Sequence, residues 1–150
     1  MPHHHEHHMQ RAIDVARGNP AAPFGAVLID PDTGEELAVG LNDSKRDPTL
    51  HGEIDVIQKA AAVHGRPRLK GATLYTTAEP CPMCMTACIW AEIGRVVYGT
   101  SIPHLAATGW RQLDLRAHEL ADKAGWTEDR VVGGVLSEHC DPLFDAAIKR

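Results

Sequence analysis

Thr73-Leu74-Tyr75-Thr76-Thr77-Ala78-Glu79-Pro80-Cys81-Pro82-Met83-Cys84 joins a β-forming run to two prolines and two cysteines. Thr73 to Thr77 is rich in β-formers and reads as a strand. Pro80 pushes Glu79 into an extended conformation, because the proline ring disfavours a helical residue before it. Pro82 has no N–H to donate and suits the first position of a helix, which then continues to about Ala91.

Outward from there, Arg95 to Gly99 reads as another strand. Upstream, Ile54, Ile57, Ala60 and Ala61 recur at helical spacing up to about His64. Phe24 to Ile29 is a short apolar run that reads as a buried strand, and Leu37 to Leu41 as a second. The turn residues Pro31-Asp32-Thr33-Gly34 between them make the pair a hairpin. A helix is expected from about Glu6 to Arg17, stopped by Gly18-Asn19-Pro20. Downstream, a helix is expected over about Leu113 to Lys123, a last strand over Val131 to Leu136, and a terminal helix from Pro142 to Lys149. Strand–helix–strand twice over favours an α/β fold with helices covering a sheet, and the hairpin makes that sheet mixed.

The 150 residues suit one domain, residues 1–150. The start, Met1-Pro2-His3-His4-His5-Glu6-His7-His8, is His-rich and expected to be flexible over 1–8. Fifteen Lys+Arg against twenty Asp+Glu give a charge of −5, which argues against a large nucleic-acid footprint. No apolar run is long enough for a bilayer, so no membrane partner is expected. Four cysteines without an export signal point to reduced thiols and a cytoplasmic setting.

Two segments carry the chemistry. Cys81 sits at the expected helix cap and Cys84 one turn further on the same side, so both sulfurs can meet one ion. The partial positive charge of a helix start favours thiolate, the form that binds zinc. The second segment is His51-Gly52-Glu53, thirty positions before Cys81. Residues two apart on a helix point roughly oppositely, since each step turns about 100°. His51 and Glu53 therefore reach one pocket only if His51 stands at the helix start, which Thr49 and the preceding loop allow. His51, Cys81 and Cys84 are the expected ligands of one Zn²⁺ per chain. They leave a fourth position for water, whose pKa catalytic zinc lowers to about 7, with Glu53 moving the protons. The alternative is a non-catalytic, zinc-stapled binding domain with His64, Cys88, His139 or Cys140 as fourth ligand.

The order H-x-E…P-C-x-x-C is that of the zinc deaminases. With these residues, the chain resembles the cytidine deaminase-like superfamily, above all its guanine deaminase, cytosine deaminase and tRNA adenosine deaminase branches. Pro23-Phe24-Gly25-Ala26-Val27 and Asp47-Pro48-Thr49-Leu50-His51-Gly52-Glu53 share in the likeness. The resemblance implies a three-layer α/β/α sandwich around a mixed five-stranded sheet, and usually a homodimer. It implies a hydrolytic deaminase of an aminated small-molecule base, with guanine the first choice. Cytosine, a nucleoside and tRNA adenosine are the alternatives.

Residue by residue, the resemblance assigns the Gly52 N–H, the Glu79 carbonyl and Asn42 to the substrate, with Phe24 as a further contact. The loop from Asn42 to His51 is about two residues shorter than the family's usual, which bears on Asn42's reach. Glycine at 52 replaces the alanine usual in the guanine and tRNA branches. Trp90 and Glu138 are guanine deaminase-like features, assigned to the base by likeness alone. Trp110 and Trp126 are expected to be buried rather than to stack on bases. The stretch Ile102 to Trp126 is expected to shape specificity or the dimer interface.

Overall fold

A computed structural model describes residues 2–149. Its elements in chain order are α1 (Pro2–Ala16), β1 (Gly25–Ile29), β2 (Glu36–Leu41), α2 (Gly52–His64), α3 (Arg66–Leu69), β3 (Thr73–Ala78), α4 (Pro82–Trp90), β4 (Arg95–Thr100), α5 (Ile102–Thr108), α6 (Ala117–Lys123), a 3₁₀ turn (Glu128–Arg130), β5 (Val131–Val132) and α7 (Ser137–Ile148). The five strands form one sheet in the order β2-β1-β3-β4-β5. β1 is antiparallel to both β2 and β3, while β3, β4 and β5 run parallel.

The period of two along each strand sorts the core into layers. Ala26, Leu28, Leu74 and Val96 face α2, α4 and α6, meeting Val56, Ala60, Met85 and Ala121. Val27, Ile29, Tyr75 and Val97 face the other way, onto Met9, Ala12 and Ile13 of α1 and Cys140 of α7. The sheet is thus covered on both faces in an α/β/α sandwich. This is why β1 and β3 read as unbroken apolar or β-forming runs: every residue of both is buried. No helix among the described residues is long and apolar enough to cross a membrane.

Strand direction places the site. Because β1 runs against β2 and β3, the start of β1 and the ends of β2 and β3 share one rim of the sheet. Gly25 pairs with Leu41, and Ala26 with Thr76. Phe24, Asn42 and Glu79 therefore converge although the sequence separates them widely.

Several boundaries differ from expectation. α1 begins at Pro2, so the described part of the His-rich start is helical; Met1 lies outside the described residues. β5 is two residues long instead of spanning Val131 to Leu136. The chain leaves the sheet at Gly133, which lies so close to Tyr98 that a Cβ there would stand 2.4 Å from the ring. α7 then starts at Ser137, ahead of Pro142. The proline is tolerated inside because the carbonyl it leaves without a donor belongs to exposed Glu138. α6 starts at Ala117 rather than near Leu113, with the Glu119 carboxylate accepting the Arg116 N–H at 2.7 Å.

Candidate active site

Two helices begin at the site. His51 caps α2 with extended dihedrals (φ −74°, ψ 162°), and Cys81 caps α4 likewise (φ −64°, ψ 169°). Pro82 opens α4, and one turn on, Cys84 is buried beneath it. His51 Nδ1 stands 3.6 Å from both Cys81 Sγ and Cys84 Sγ. The three donor atoms lie within 4.8 Å of one another, and no further His, Cys, Asp or Glu joins them among the described residues.

Those distances suit zinc. Bonds of about 2.0–2.1 Å to nitrogen and 2.3 Å to sulfur, at a tetrahedral angle, separate N and S by about 3.6 Å. The thiols agree with this. Cys81 is drawn down to about 4, chiefly by the hydrogen bond from Cys84, with His51 adding to it. Cys84 is pushed up by the same bond and by burial. Two adjacent sulfurs thus hold a proton where a dication can replace it. The four residues named as alternative fourth ligands lie elsewhere. Cys88 and Cys140 are buried in the two core layers, His64 Nε2 meets the Leu37 carbonyl at 2.9 Å, and His139 is exposed.

Glu53 is 3% exposed and its Oε1 accepts a hydrogen bond from Thr76 Oγ1 at 3.1 Å. Burial above all, and then the charge of Cys81, push its carboxyl up to about 7. Beside it opens a cavity of about 190 Å³. That is below the roughly 300–1,000 Å³ of pockets for drug-sized ligands and suits a single flat ring system.

The cavity lining brings His51, Glu53 and Cys81 together with Phe24, Asn42, Ser44, Glu79, Trp110, Arg111 and Gln112. Asn42 reaches the cavity despite the short loop, tied by its N–H to the Phe24 carbonyl (3.0 Å) and by Nδ2 to Ser44 Oγ (3.0 Å). Two expected contacts stand elsewhere. Trp90 ends α4 at 76% exposure, outside the cavity. Glu138 lines a separate groove with His5 and Leu136. Trp110 is partly buried, packed against Leu105 and Phe144, and also lines the cavity. Its ring meets Phe24 edge-on at 5.2 Å and Phe144 at 6.0 Å. Trp126 packs on the α2–α4–α6 layer under the Arg130 guanidinium. Arg111, Gln112 and Ser44 were not singled out from sequence. The only signal for the first two was the otherwise unassigned stretch around them.

Gly52 has a packing reason. A Cβ there would stand 2.4 Å from the Phe24 carbonyl oxygen. Gly52→Ala is expected to cost about 1–3 kcal/mol in urea unfolding, because backbone has to move to admit the methyl.

The Glu79 side chain is fully buried and holds loops rather than substrate. It accepts from Ile102 N (2.9 Å), Ala117 N (2.8 Å) and Arg116 Nε (3.0 Å to each oxygen). Its carbonyl accepts no backbone hydrogen bond among the described residues. Arg116→Ala leaves a buried carboxylate short of its cation. We expect a loss of about 2–3 kcal/mol by urea unfolding, moderated because the two backbone N–H donors remain.

The family model of the cytidine and deoxycytidylate deaminase zinc-binding region matches residues 2–100. The tRNA(Ile)-lysidine synthase of Deinococcus radiodurans is 44% identical over 115 residues, 75% of this chain; the chain spans only 19% of that protein's length. Guanine deaminase of Bacillus subtilis is 34% identical over 148 residues, covering 93% of this chain and 91% of that one. The tRNA-specific adenosine deaminase of Bacillus subtilis is 33% identical over 144 residues, covering 94% and 86%. The crystallised guanine deaminase from Nitrosomonas europaea shares the fold, with a TM-score of 0.81 at 24% identity over 97% of this chain and 85% of that one. With a zinc-binding region matched over two thirds of its length and the donors gathered to fit the ion, the chain belongs to the zinc-dependent cytidine and deoxycytidylate deaminase family.

Proposed function

We propose that the chain removes the amino group of a free heterocyclic base by hydrolysis, with guanine as substrate. One observation carries this reading: a buried carboxyl, Glu53, lies beside the three metal donors in the lining of a cavity sized for one base. His51, Cys81 and Cys84 would hold zinc, which would act as a Lewis acid and lower the pKa of the attacking water to about 7.

The chain's own groups do the rest. Thr76 fixes Glu53 Oε1, leaving Oε2 to carry protons. Glu53 takes a proton from the attacking water and passes it to the ring nitrogen beside the amine-bearing carbon; it then takes the second proton from the hydroxyl now on that carbon and gives it to the amine, so that ammonia leaves and a carbonyl remains. A carboxyl pushed up to about 7 suits both tasks near neutral pH. Phe24 provides a flat wall, and Asn42 offers one donor and one acceptor. The Gly52 N–H, in the first turn of α2, has no helical partner and is free to hold a ring heteroatom. The Glu79 carbonyl accepts from the leaving amine.

Ammonia release from guanine, cytosine, adenine, their nucleosides and aminotriazines tests the reading. Guanine is expected to be the best substrate. Silence on every small molecule, with turnover of adenosine in tRNA, would establish the alternative that the tRNA-specific relative suggests.

A further inference from the structure

The loop from Trp110 to Arg116, which contributes to the cavity lining, is pinned at both ends. At one, Trp110 Nε1 donates to the Phe144 carbonyl at 3.1 Å while its ring packs on Phe24. At the other, Arg116 is held by Glu79 and by the Tyr98 hydroxyl at 3.1 Å. Between these anchors, Arg111 and Gln112 are presented to the cavity. Arg111 is exposed, and among the described residues no carboxylate pairs with it, whereas Arg116 nearby is fully engaged. A fixed loop thus brings an exposed, unpaired arginine to the cavity that buried Glu53 also lines.

Base stereochemistry says what meets it. In guanine, the C2 amine and the O6/N7 edge lie at opposite ends of the fused rings. A guanine seated with C2 over Glu53 turns O6 and N7 away from that buried carboxyl. Cytosine seated by its C4 amine turns N1 outward, and adenine seated by its C6 amine turns N3 outward. Only guanine among the three presents two adjacent acceptors there, and a guanidinium fork matches that pair in spacing and plane. Resting on the guanine reading above, we infer that Arg111 is a specificity-determining residue that donates two N–H bonds to O6 and N7 of the bound base.

The test compares guanine with 2-aminopurine, which keeps the C2 amine and N7 but has hydrogen at C6. It uses the zinc-loaded protein and its Arg111→Ala and Arg111→Lys variants. Calorimetric binding of hypoxanthine, which has the same O6/N7 edge and no amine to lose, gives a readout independent of turnover. Arg111→Ala is expected to lower kcat/KM for guanine about 10- to 100-fold through KM and to weaken hypoxanthine equally. Turnover of 2-aminopurine should fall less, by about 2- to 10-fold, since only the N7 bond is lost, and Arg111→Lys should recover only part of the guanine loss, since an ammonium cannot form the fork. An equal loss on both substrates, or unchanged hypoxanthine binding, overturns the assignment. A wild type active on guanine with an unimpaired Arg111→Ala refutes the Arg111 role alone. A wild type inert on guanine but active on another base, a nucleoside or tRNA refutes the guanine reading, and the Arg111 role with it.

Discussion

Glu53→Gln is expected to retain one zinc per chain and lose about 10²- to 10⁴-fold in kcat, the range of a positioned acid–base group. The two effects separate because of where Glu53 sits. It lies one residue into α2, while the metal donors are the cap residue His51 and the two sulfurs of the facing helix start. Glutamine has nearly the same shape and still accepts from Thr76 Oγ1 through its amide oxygen, so the buried hydrogen bond survives. It cannot take up and release a proton. Zinc content by elemental analysis and ammonia release by a coupled assay are measured on the same preparation. An unimpaired variant would mean that another group moves the protons.

The second large effect concerns the metal. Cys84→Ala is expected to drop zinc well below one per chain and to abolish turnover. Removing a thiolate leaves His51 and Cys81 alone, and two donors hold the ion far less tightly. Cys88→Ala is the control. Cys88 is equally buried, one turn further along α4, yet it packs with Met85 and Ile93 in the core and does not belong to the donor group. It should keep its zinc and its activity, at a modest stability cost for the small cavity left behind. Zinc loss in Cys88→Ala, or full zinc in Cys84→Ala, would show that the donor set has been misassigned.

Much of this was legible in the sequence, for local reasons. Pro80 and Pro82 restrict the backbone on either side of Cys81, so the strand end and helix start can be read from five residues. His51 had to be a cap for Glu53 to share its pocket, and it is one. The buried strands β1, β3 and β4 announced themselves as short runs bounded by turns. α5 was missed although its marks were present: Ser101 caps it by accepting from the His104 N–H, Pro103 lies in its first turn, and Gly109 ends it with φ 110°.

What the sequence hid depends on distant contacts. Trp110 belongs to the cavity because Phe24, just before β1, and Phe144, from the last helix, hold it there. No pattern around residue 110 signals that. Trp90 and Glu138 stand outside the cavity for the converse reason. Likeness in a motif locates a residue along the chain, but whether it reaches the base depends on how α4 and α7 dock on the sheet. Trp90 ends up facing solvent, and Glu138 faces the groove beside α1.

Hydrolytic deamination here requires a zinc ion with three protein donors and a fourth position open to water. X-ray absorption at the zinc edge of the purified protein tests this most directly. One nitrogen near 2.0–2.1 Å, two sulfurs near 2.3 Å and one further light oxygen scatterer are predicted, within about 0.1 Å. A third sulfur or a second imidazole in the shell would make the ion a four-ligand staple and contradict the catalytic reading.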